Sequence, residues 1–396
     1  MPTFYNYTEG GQVYSFDDVF VPADAFRQGN LWIWGDNSYG KLGINNSTAI
    51  QLSAFTPVTT FAGGTNWKQV DCRDRNTAAI KTDGTLWTWG DNSNGQLGDN
   101  TTTQRSTPVT TFAGGTNWKQ VVCGDRHISA IKTDGTLWTW GRNNNGQLGI
   151  NNTTNPICTP VTTFAGGTNW KQVDCGGYHT AAIKTDGTLW TWGAGSSGQL
   201  GNNTTTNRST PVTTFAGGTN WKQVSGGNFY TSAIKTDGTL WTWGSNYNGQ
   251  LGDNTSTNRS IPVTTFAGVT NWKQVSSGGF HTAAIRTDGT LWTWGWNGSA
   301  NGQLGNNTTT QRSTPVTTFA GGTNWKQVSN GRDYTAAIKT DGTLWTWGRA
   351  NNGQLGNNIT TSIYTPVTTF AGGTNWKQVS GGGAHTAATT YIDDYQ

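Results

Sequence analysis

The sequence predicts an all-β protein: a seven-bladed β-propeller of four-stranded blades, whose ring is closed by pairing the N- and C-terminal strands. Three observations lead to this fold class. The element LW-x-WG occurs seven times, first at Leu31 and last at Leu344. The element NWKQV also occurs seven times, first at Asn66 and last at Asn375. Both recur at intervals of about 51 residues, a period typical of four-stranded blades. No segment sustains a helical period.

Each unit contains four strand-like segments in a fixed order. NWKQV and HTAAIKT are short runs of residues favoured in strands, and TLWTW alternates its side chains. The Asp-Gly pair between the second and third segments predicts a hairpin turn. PVTTF is the fourth strand, entered by a proline. Such a unit cannot bury both faces of its sheet alone, so seven of them predict a closed ring.

The tryptophans follow the repeat. Of the 22 tryptophans, 21 belong to LW-x-WG or NWKQV, and Trp296 is the exception. Trp87 and Trp89 lie two residues apart and therefore face the same side of their strand. A packed tryptophan buries ~150–250 Å², so we expect these side chains to form a core between neighbouring blades. The decapeptide KTDGTLWTWG is accordingly interpreted as scaffold.

The two ends of the chain are complementary fragments of one blade. The first LW-x-WG has no NWKQV before it, and the last NWKQV has no LW-x-WG after it. We expect the C-terminal segment to supply the two inner strands and residues 30–61 the two outer ones, which removes exposed sheet edges. The domain division is an N-terminal arm at 1–29, the propeller at 30–391 and a tail at 392–396.

The segment GGYHTAAIKTDGTLWTWGAGSSGQLG, at 176–201, resembles the repeat of the regulator of chromosome condensation family, with its G-x-x-H, D-G, W-G and G-Q-L-G landmarks. The resemblance covers about residues 30–391 and implies a seven-bladed propeller. Members of the family include a nucleotide exchange factor for a small GTPase and a bacterial β-lactamase inhibitor. The exchange factor's insertions and basic N-terminal tail have no counterpart here, so that activity is not implied. The near-identical units and the leader FDDVFVPADAFRQGNLWIWG also resemble propellers encoded by tailed bacteriophages.

The units differ from one another mainly in two segments and are almost copies elsewhere. One segment follows WKQV, as in DCRDRN or SGGNFY. The other follows the tryptophan-glycine pair that ends LW-x-WG, as in DNSY or WNGSAN. If NWKQV runs upward, both segments lie on the upper face and the unvarying Asp-Gly turns lie on the lower face. A constant scaffold that carries varied loops on one face is typical of binding proteins. Drift in unconstrained loops is the alternative, although it leaves the equally exposed TDGT turns untouched.

The chemistry of these loops favours recognition of sugars or proteins, because aromatic faces stand beside amides, carboxylates and guanidinium groups. Arg73, Arg75, Arg126 and Arg142 fall in two adjacent blades and suggest a site for acidic groups; scattered solvated arginines are the alternative. The candidate binding residues are Tyr39, Arg73, Arg75, Arg126, Arg142, Tyr178, Phe229, Tyr230, Tyr247, Phe280, Trp296, Arg332, Tyr334 and Arg349.

Nothing in the sequence indicates catalysis, a cofactor or a metal. His127, His179, His281 and His385 occupy one repeat position, where Asn76 or tyrosines stand in other units, so we expect them to form structural hydrogen bonds. The aspartates of TDGT are turn residues. The four cysteines form no C-x-x-C pair and are interpreted as buried thiols. The protein is therefore predicted to be non-enzymatic.

Charge and hydropathy limit the partners further. A formal charge of +4 over 396 residues gives no basis for nucleic-acid binding, and no apolar run approaches a membrane span. The N-terminal stretch does not match a secretion signal. The arm contains Phe16, Val19, Phe20, Val21 and Phe26, too many apolar groups for an indifferent solvated tail. We expect it to anchor to a neighbouring protein; the alternative is that it folds back on its own propeller.

These features predict a phage virion component, located in the virion. Its arm would contact other virion proteins, and its upper loops would bind a host surface glycan or protein. The alternative is a cytosolic protein-interaction module, such as an enzyme inhibitor or regulator.

Overall fold

The computed structural model describes residues 7–9, 12–14, 29–47, 51–52, 58–59, 64, 66–298 and 301–391. The arm residues Phe16, Val19, Phe20, Val21 and Phe26 lie outside these ranges, as does the tail at 392–396. Within the arm, β1 (Tyr7–Glu9) pairs antiparallel with β2 (Gln12–Tyr14). Nowhere in the described ranges is there a helix with the length and apolar character needed to cross a bilayer.

Apart from the β1–β2 pair, the described strands build seven antiparallel sheets arranged as a ring of blades, which confirms the predicted fold class. The chain enters the ring with β3 (Leu31–Asp36), a 3-10 turn at Ser38–Gly40, β4 (Gln51–Leu52) and β5 (Val58–Thr59). Six uninterrupted blades follow, each written from the axis outward: blade 1, β6 (Trp67–Cys72), β7 (Asn76–Lys81), β8 (Leu86–Gly90) and β9 (Arg105–Thr110); blade 2, β10 (Trp118–Cys123), β11 (His127–Lys132), β12 (Leu137–Gly141) and β13 (Ile157–Thr162); blade 3, β14 (Trp170–Cys175), β15 (His179–Lys184), β16 (Leu189–Gly193) and β17 (Arg208–Thr213); blade 4, β18 (Trp221–Gly226), β19 (Tyr230–Lys235), β20 (Leu240–Gly244) and β21 (Arg259–Thr264); blade 5, β22 (Trp272–Ser277), β23 (His281–Arg286), β24 (Leu291–Gly295) and β25 (Arg312–Thr317); blade 6, β26 (Trp325–Asn330), β27 (Tyr334–Lys339), β28 (Leu344–Gly348) and β29 (Ile363–Thr368). The last strands are β30 (Trp376–Gly381) and β31 (His385–Thr390).

The outermost strands begin earlier than PVTTF predicts. In blade 1 the strand covers RSTPVT, so Pro108 lies inside it and Phe112 lies beyond its end. The pairing with β8 shifts register between Thr88 and Gly90. Proline is tolerated there because an edge strand has no outer neighbour that needs its missing N–H.

The seventh blade is composite, as the sequence predicts. The N-terminal strand β3 pairs with the C-terminal strand β31, with Trp34 opposite Thr386 and Gly35 opposite His385. The Trp67 amide donates to the Gly29 carbonyl at 3.1 Å, just as the Trp118 amide donates to Gly84 of an Asp-Gly turn. Gly29 therefore takes the place of the glycine of an Asp-Gly turn. The break between the N- and C-terminal strands of the seventh blade lies at the lower face, where the other blades have this turn.

The tryptophans form the core between blades. Trp67 contacts both Trp87 and Trp89 edge-to-face, with ring centroids 6.5 and 6.4 Å apart, and the pattern recurs around the ring. The Trp89 indole donates to the Lys41 carbonyl of the preceding blade at 2.9 Å. Lys81 lies 4.8 Å from the centroids of Trp67 and Trp87, where a cation is attracted to the ring faces. The repeated decapeptide is thus scaffold.

The glutamine of WKQV joins adjacent blades at the axis, a role that sequence reasoning missed. Gln69 donates from Nε2 to the Val121 carbonyl at 2.8 Å, and its Oε1 accepts from the Val121 amide at 3.1 Å. The same double hydrogen bond links every neighbouring pair of blades. It includes the closure, where Gln378 binds the amide and carbonyl of Val70. Seven glutamines therefore form a closed ring of clamps between the innermost strands.

Replacing Gln223 by alanine should lower the free energy of unfolding by about 2 kcal/mol, because the main-chain groups of Val275, which is nearly fully buried, lose both partners. The neighbouring exposed Lys222 provides the matched control, and Lys222→Ala should change stability by less than about 0.5 kcal/mol. Urea unfolding measures both. Equal stabilities of the two variants would contradict the clamp.

Candidate functional site: a funnel on the upper face

A funnel of about 290 Å³ opens on the upper face, at the end of the propeller axis. It is formed by the loops that follow the innermost strands, which are the first of the two variable segments. The funnel collects residues from all seven blades: Arg73, Asp74, Arg75, Asp125, Arg126, Tyr178, Asn228, Phe229, Gly278, Gly279, Phe280, Asn330, Gly331, Arg332, Gly381, Gly382 and Gly383. Seven of the candidate binding residues therefore converge on one cavity: Arg73, Arg75, Arg126, Tyr178, Phe229, Phe280 and Arg332.

The histidine position is structural, as expected. Each histidine is fully buried and its Nε2 meets a threonine hydroxyl in the next blade, as between His179 and Thr231 at 2.8 Å. The other pairs are His127 with Thr180, His281 with Thr335 and His385 with Thr77. Burial lowers the pKa of His127, His179 and His281 to about 3, so these rings stay neutral.

The assignment of Tyr230 and Tyr334 to the binding surface is wrong. Both side chains are fully buried because they occupy the histidine position of blades 4 and 6. The Tyr334 hydroxyl donates to the His385 carbonyl at 2.7 Å, and the Tyr230 hydroxyl donates to the His281 carbonyl. The signal was available in the sequence, since aligned units place these tyrosines opposite histidines.

Blade 1 lacks the glycine that lies against the histidine or tyrosine ring in the other blades, and it also lacks the ring. In blades 2 to 7 the residue after the innermost strand is glycine, and a Cβ added at Gly124 or Gly227 would overlap the His127 or Tyr230 ring. Blade 1 has Arg73 at this position, and the smaller Asn76 replaces the ring. Asn76 is fully buried, and neither of its amide atoms has a hydrogen-bond partner among the described residues. In the other blades the histidine contacts a threonine of the next blade, and at the corresponding position of blade 2 the residue is Ile128.

Arg73 uses this space to reach across the axis and form the floor of the funnel. Its guanidinium lies 3.3 Å from Asp125 of blade 2 and donates to the Cys175 carbonyl of blade 3 at 3.3 Å. It also donates to the Gly226 carbonyl at 3.0 Å and to Asn228 Oδ1 at 3.1 Å, both in blade 4. Burial opposes its charge, but the carboxylates of Asp125 and Asp174 outweigh burial and raise the pKa of Arg73. Arg73 is thus committed to internal contacts.

One wall of the funnel is aromatic. The rings of Tyr178 and Phe229 stack with centroids 5.6 Å apart and an interplanar angle of 25°. The Arg142 guanidinium lies 5.5 Å from the Tyr178 centroid, within the range of a cation–π contact. Phe280 continues the wall into blade 5, and all three rings are half-buried. Rings that are fixed and half-exposed offer contact area at little cost in conformational entropy.

The remaining arginines differ in how far they are neutralised. Arg75 pairs with Asp74 at 3.2 Å and donates to the Tyr39 hydroxyl at 2.9 Å. Arg332 lies 3.7 Å from Asp333, which Arg349 also contacts at 3.2 Å. Arg126 makes no ion pair with any described residue and lines the funnel beside Tyr178. It is therefore the arginine most available to an acidic ligand.

Five candidates lie in the second variable segment and do not line the funnel: Tyr39, Arg142, Tyr247, Trp296 and Arg349. Tyr247 is 70% exposed. Trp296 is half-buried and packs against Gly298, in contrast to the fully buried Trp294 of the repeat. Apart from the buried Tyr230 and Tyr334, the predicted binding residues thus divide into a group that lines the funnel and a peripheral group outside it.

Below Arg73 the axis holds a polar shaft of about 160 Å³, which sequence reasoning also missed. Asp71 accepts from the Cys123 amide at 2.7 Å and from the Ser380 hydroxyl at 2.9 Å. Burial raises the pKa of Asp71 to about 7 and that of Asp174 to about 6. Within the described ranges, no three His, Cys, Asp or Glu side chains converge as a metal-ligand set. Cys72, Cys123 and Cys175 are buried free thiols, as predicted, whereas the free thiol of Cys158 is only half-buried.

Comparisons with known proteins agree with this geometry. The model of the RCC1-like domain matches residues 25–318, and that of the regulator of chromosome condensation (RCC1) repeat matches 341–389. The ultraviolet-B receptor UVR8 of Arabidopsis thaliana is 34% identical over 332 residues, which cover 82% of this chain and 73% of that protein. Human WBSCR16 superimposes with a TM-score of 0.78 at 22% identity, covering 93% of this chain and 100% of the other.

Prp20p of Saccharomyces cerevisiae, whose structure is described with its binding to Gsp1p and histones, gives a TM-score of 0.78 at 19% identity. The superposition covers 92% of each chain. At these identities the two structures support the fold alone.

The coupling between Arg73 and Asn76 can be tested in a mutant cycle. On the native background, Asn76→His with Ile128→Thr should lower the free energy of unfolding by about 1–3 kcal/mol, because the ring meets the Arg73 side chain. On an Arg73→Gly background the same pair of substitutions should stabilise the protein, because the new ring finds its threonine. Urea unfolding of the four proteins gives the sign. The same sign on both backgrounds would refute the coupling.

Proposed function

The chain belongs to the RCC1-like domain family, and on that premise we propose that it is a non-enzymatic protein-interaction module that binds its partner in the upper funnel. One observation carries the proposal: the face on which otherwise near-identical units differ is also the face where Arg126 and an aromatic wall converge on one cavity. The relative at 34% identity, UVR8, is a receptor, which supports a binding role.

The funnel suits an acidic, partly apolar group. Arg126 offers a guanidinium that no described carboxylate neutralises, while Tyr178 and Phe229 provide a flat apolar surface beside it. The opposite side is lined by Gly278, Gly279 and Gly381–Gly383, which leaves room for an inserted side chain. A carboxylate on a protruding loop, or a sugar acid, has the chemistry that this arrangement would recognise.

The finer part of the proposal is that the chain is a virion component of a tailed phage. It rests on the resemblance of its uniform repeats and leader to phage propellers. In that setting the upper face would recognise a host surface glycan or protein, and residues 1–29 would attach to other virion proteins. A cytosolic inhibitor or regulator is the competing function. Detection of the chain in mass spectra of purified particles would favour the virion, and its recovery only from the soluble extract would favour the regulator.

Binding through the funnel is tested by affinity isolation of the full chain from host extract, with partners quantified by mass spectrometry. We expect Arg126→Ala and Phe229→Ala each to weaken recovery of a partner at least about tenfold, since central aromatic and arginine contacts dominate interfaces. Tyr247→Ala, on the same face but outside the funnel, should leave recovery unchanged. If partners are lost with Tyr247→Ala and retained with Arg126→Ala, the funnel is not the site.

A further inference from the structure

The lower rim of the propeller carries an exposed phenylalanine in every blade whose lower rim the structure describes. Each stands two residues after the outermost strand and is between 61% and 66% exposed: Phe112, Phe164, Phe215, Phe266, Phe319 and Phe370. Directly after it the chain turns inward, as where the Trp118 indole donates to the Gly114 carbonyl. Single exposed apolar residues are common, but six equivalent ones around one face offer an apolar contact point in each blade.

The same face is strongly basic. Each of the seven NWKQV elements places a lysine near the lower end of its strand, and a lysine or arginine precedes each of the six TDGT turns. Against these thirteen cations the repeated elements place only the six turn aspartates, which gives the repeats an excess of seven positive charges at this face; Asp393 and Asp394 follow the strand β31 that ends here. The whole chain has a formal charge of only +4, so other segments must carry an excess of negative charge.

Part of that negative charge lies in the segment that leaves the ring at this face. Gly29 is held there by hydrogen bonds to Tyr391 at 3.2 Å and to Trp67 at 3.1 Å. Residues 1–28 contain Glu9, Asp17, Asp18 and Asp24 against Arg27, together with seven phenylalanines and tyrosines. Twenty-eight residues can extend up to roughly 90 Å, so reach does not limit contact with several blades.

We propose that residues 1–28 fold back over the lower face of their own propeller, where their carboxylates meet the lysines and their aromatic side chains cover the exposed phenylalanines. A second copy is the poorer occupant, because two lower faces would bring the positive excesses of their repeats together. The inference is independent of the funnel. If the arm attaches to a neighbouring protein in an assembly, it must first leave this face.

Photo-cross-linking of the full chain tests the contact. Benzoylphenylalanine incorporated at Phe112, Phe215 or Phe319 should cross-link to residues 1–28 of the same molecule, as mapped by mass spectrometry after irradiation of dilute protein. The reference position is Tyr247, which is as exposed as the phenylalanines but lies on the upper face, and it should give no such product. Replacing Asp17, Asp18 and Asp24 by lysine should reduce the cross-linked yield severalfold without altering the unfolding transition of the propeller.

Several outcomes would overturn the proposal. Cross-links only between molecules would assign the face to a second copy. The absence of any product with 1–28, or equal yields from Tyr247 and the rim, would mean that the arm does not cover the face. A yield that resists both the triple substitution and about 0.5 M salt would remove the electrostatic basis. None of these results affects binding in the funnel, which the Arg126 variant tests separately.

Discussion

The ring of glutamine clamps is the constraint on which the rest of the structure depends. Each innermost strand is joined to the next through one amide side chain that binds both main-chain groups of a valine. These bonds fix the spacing of the blades at the axis, where the sheets are closest, and the tryptophans then fill the wedge between blades as it widens outward. Because the same glutamine and tryptophan contacts fix the spacing in every blade, the loops on the upper face can vary without altering the ring.

That separation explains how one blade can depart from the pattern. The axis is open enough for one long side chain, and Arg73 occupies it only because Asn76 gives up the volume of a ring. The cost is a buried amide without partners, and Ile128 avoids adding an unpaired hydroxyl beside it. In exchange, one guanidinium ties four blades together and gives the upper cavity a polar floor. The funnel is therefore asymmetric although the scaffold is nearly sevenfold.

The blade number, the strand order and the closure could all be predicted from the sequence, because tandem copies reveal the unit and its two broken ends. The role of Gln69 and its equivalents could not, since their partners are main-chain groups of the next blade and leave no sequence signal. Tyr230 and Tyr334 were assigned to the binding surface because they border a variable loop, although the aligned units place them at the buried histidine position. For Arg126, Tyr178 and Phe229 the sequence predicted a shared face of the propeller but not a shared cavity. The shape of that cavity depends on which neighbouring positions are glycine. The outer strands were predicted to start at proline, whereas an edge strand tolerates proline inside it.

The composite blade also bears on how the protein is made. Strand β3 leaves the ribosome long before its partner β31, because their residues are separated by more than 300 positions in the chain. Throughout synthesis β3 has an unsatisfied edge, and blade 1 lacks the neighbour that its clamp from Gln378 requires. Until β31 has emerged, the growing propeller is therefore an open arc with two unpaired edges, and the length of this aggregation-prone interval is set by translation time.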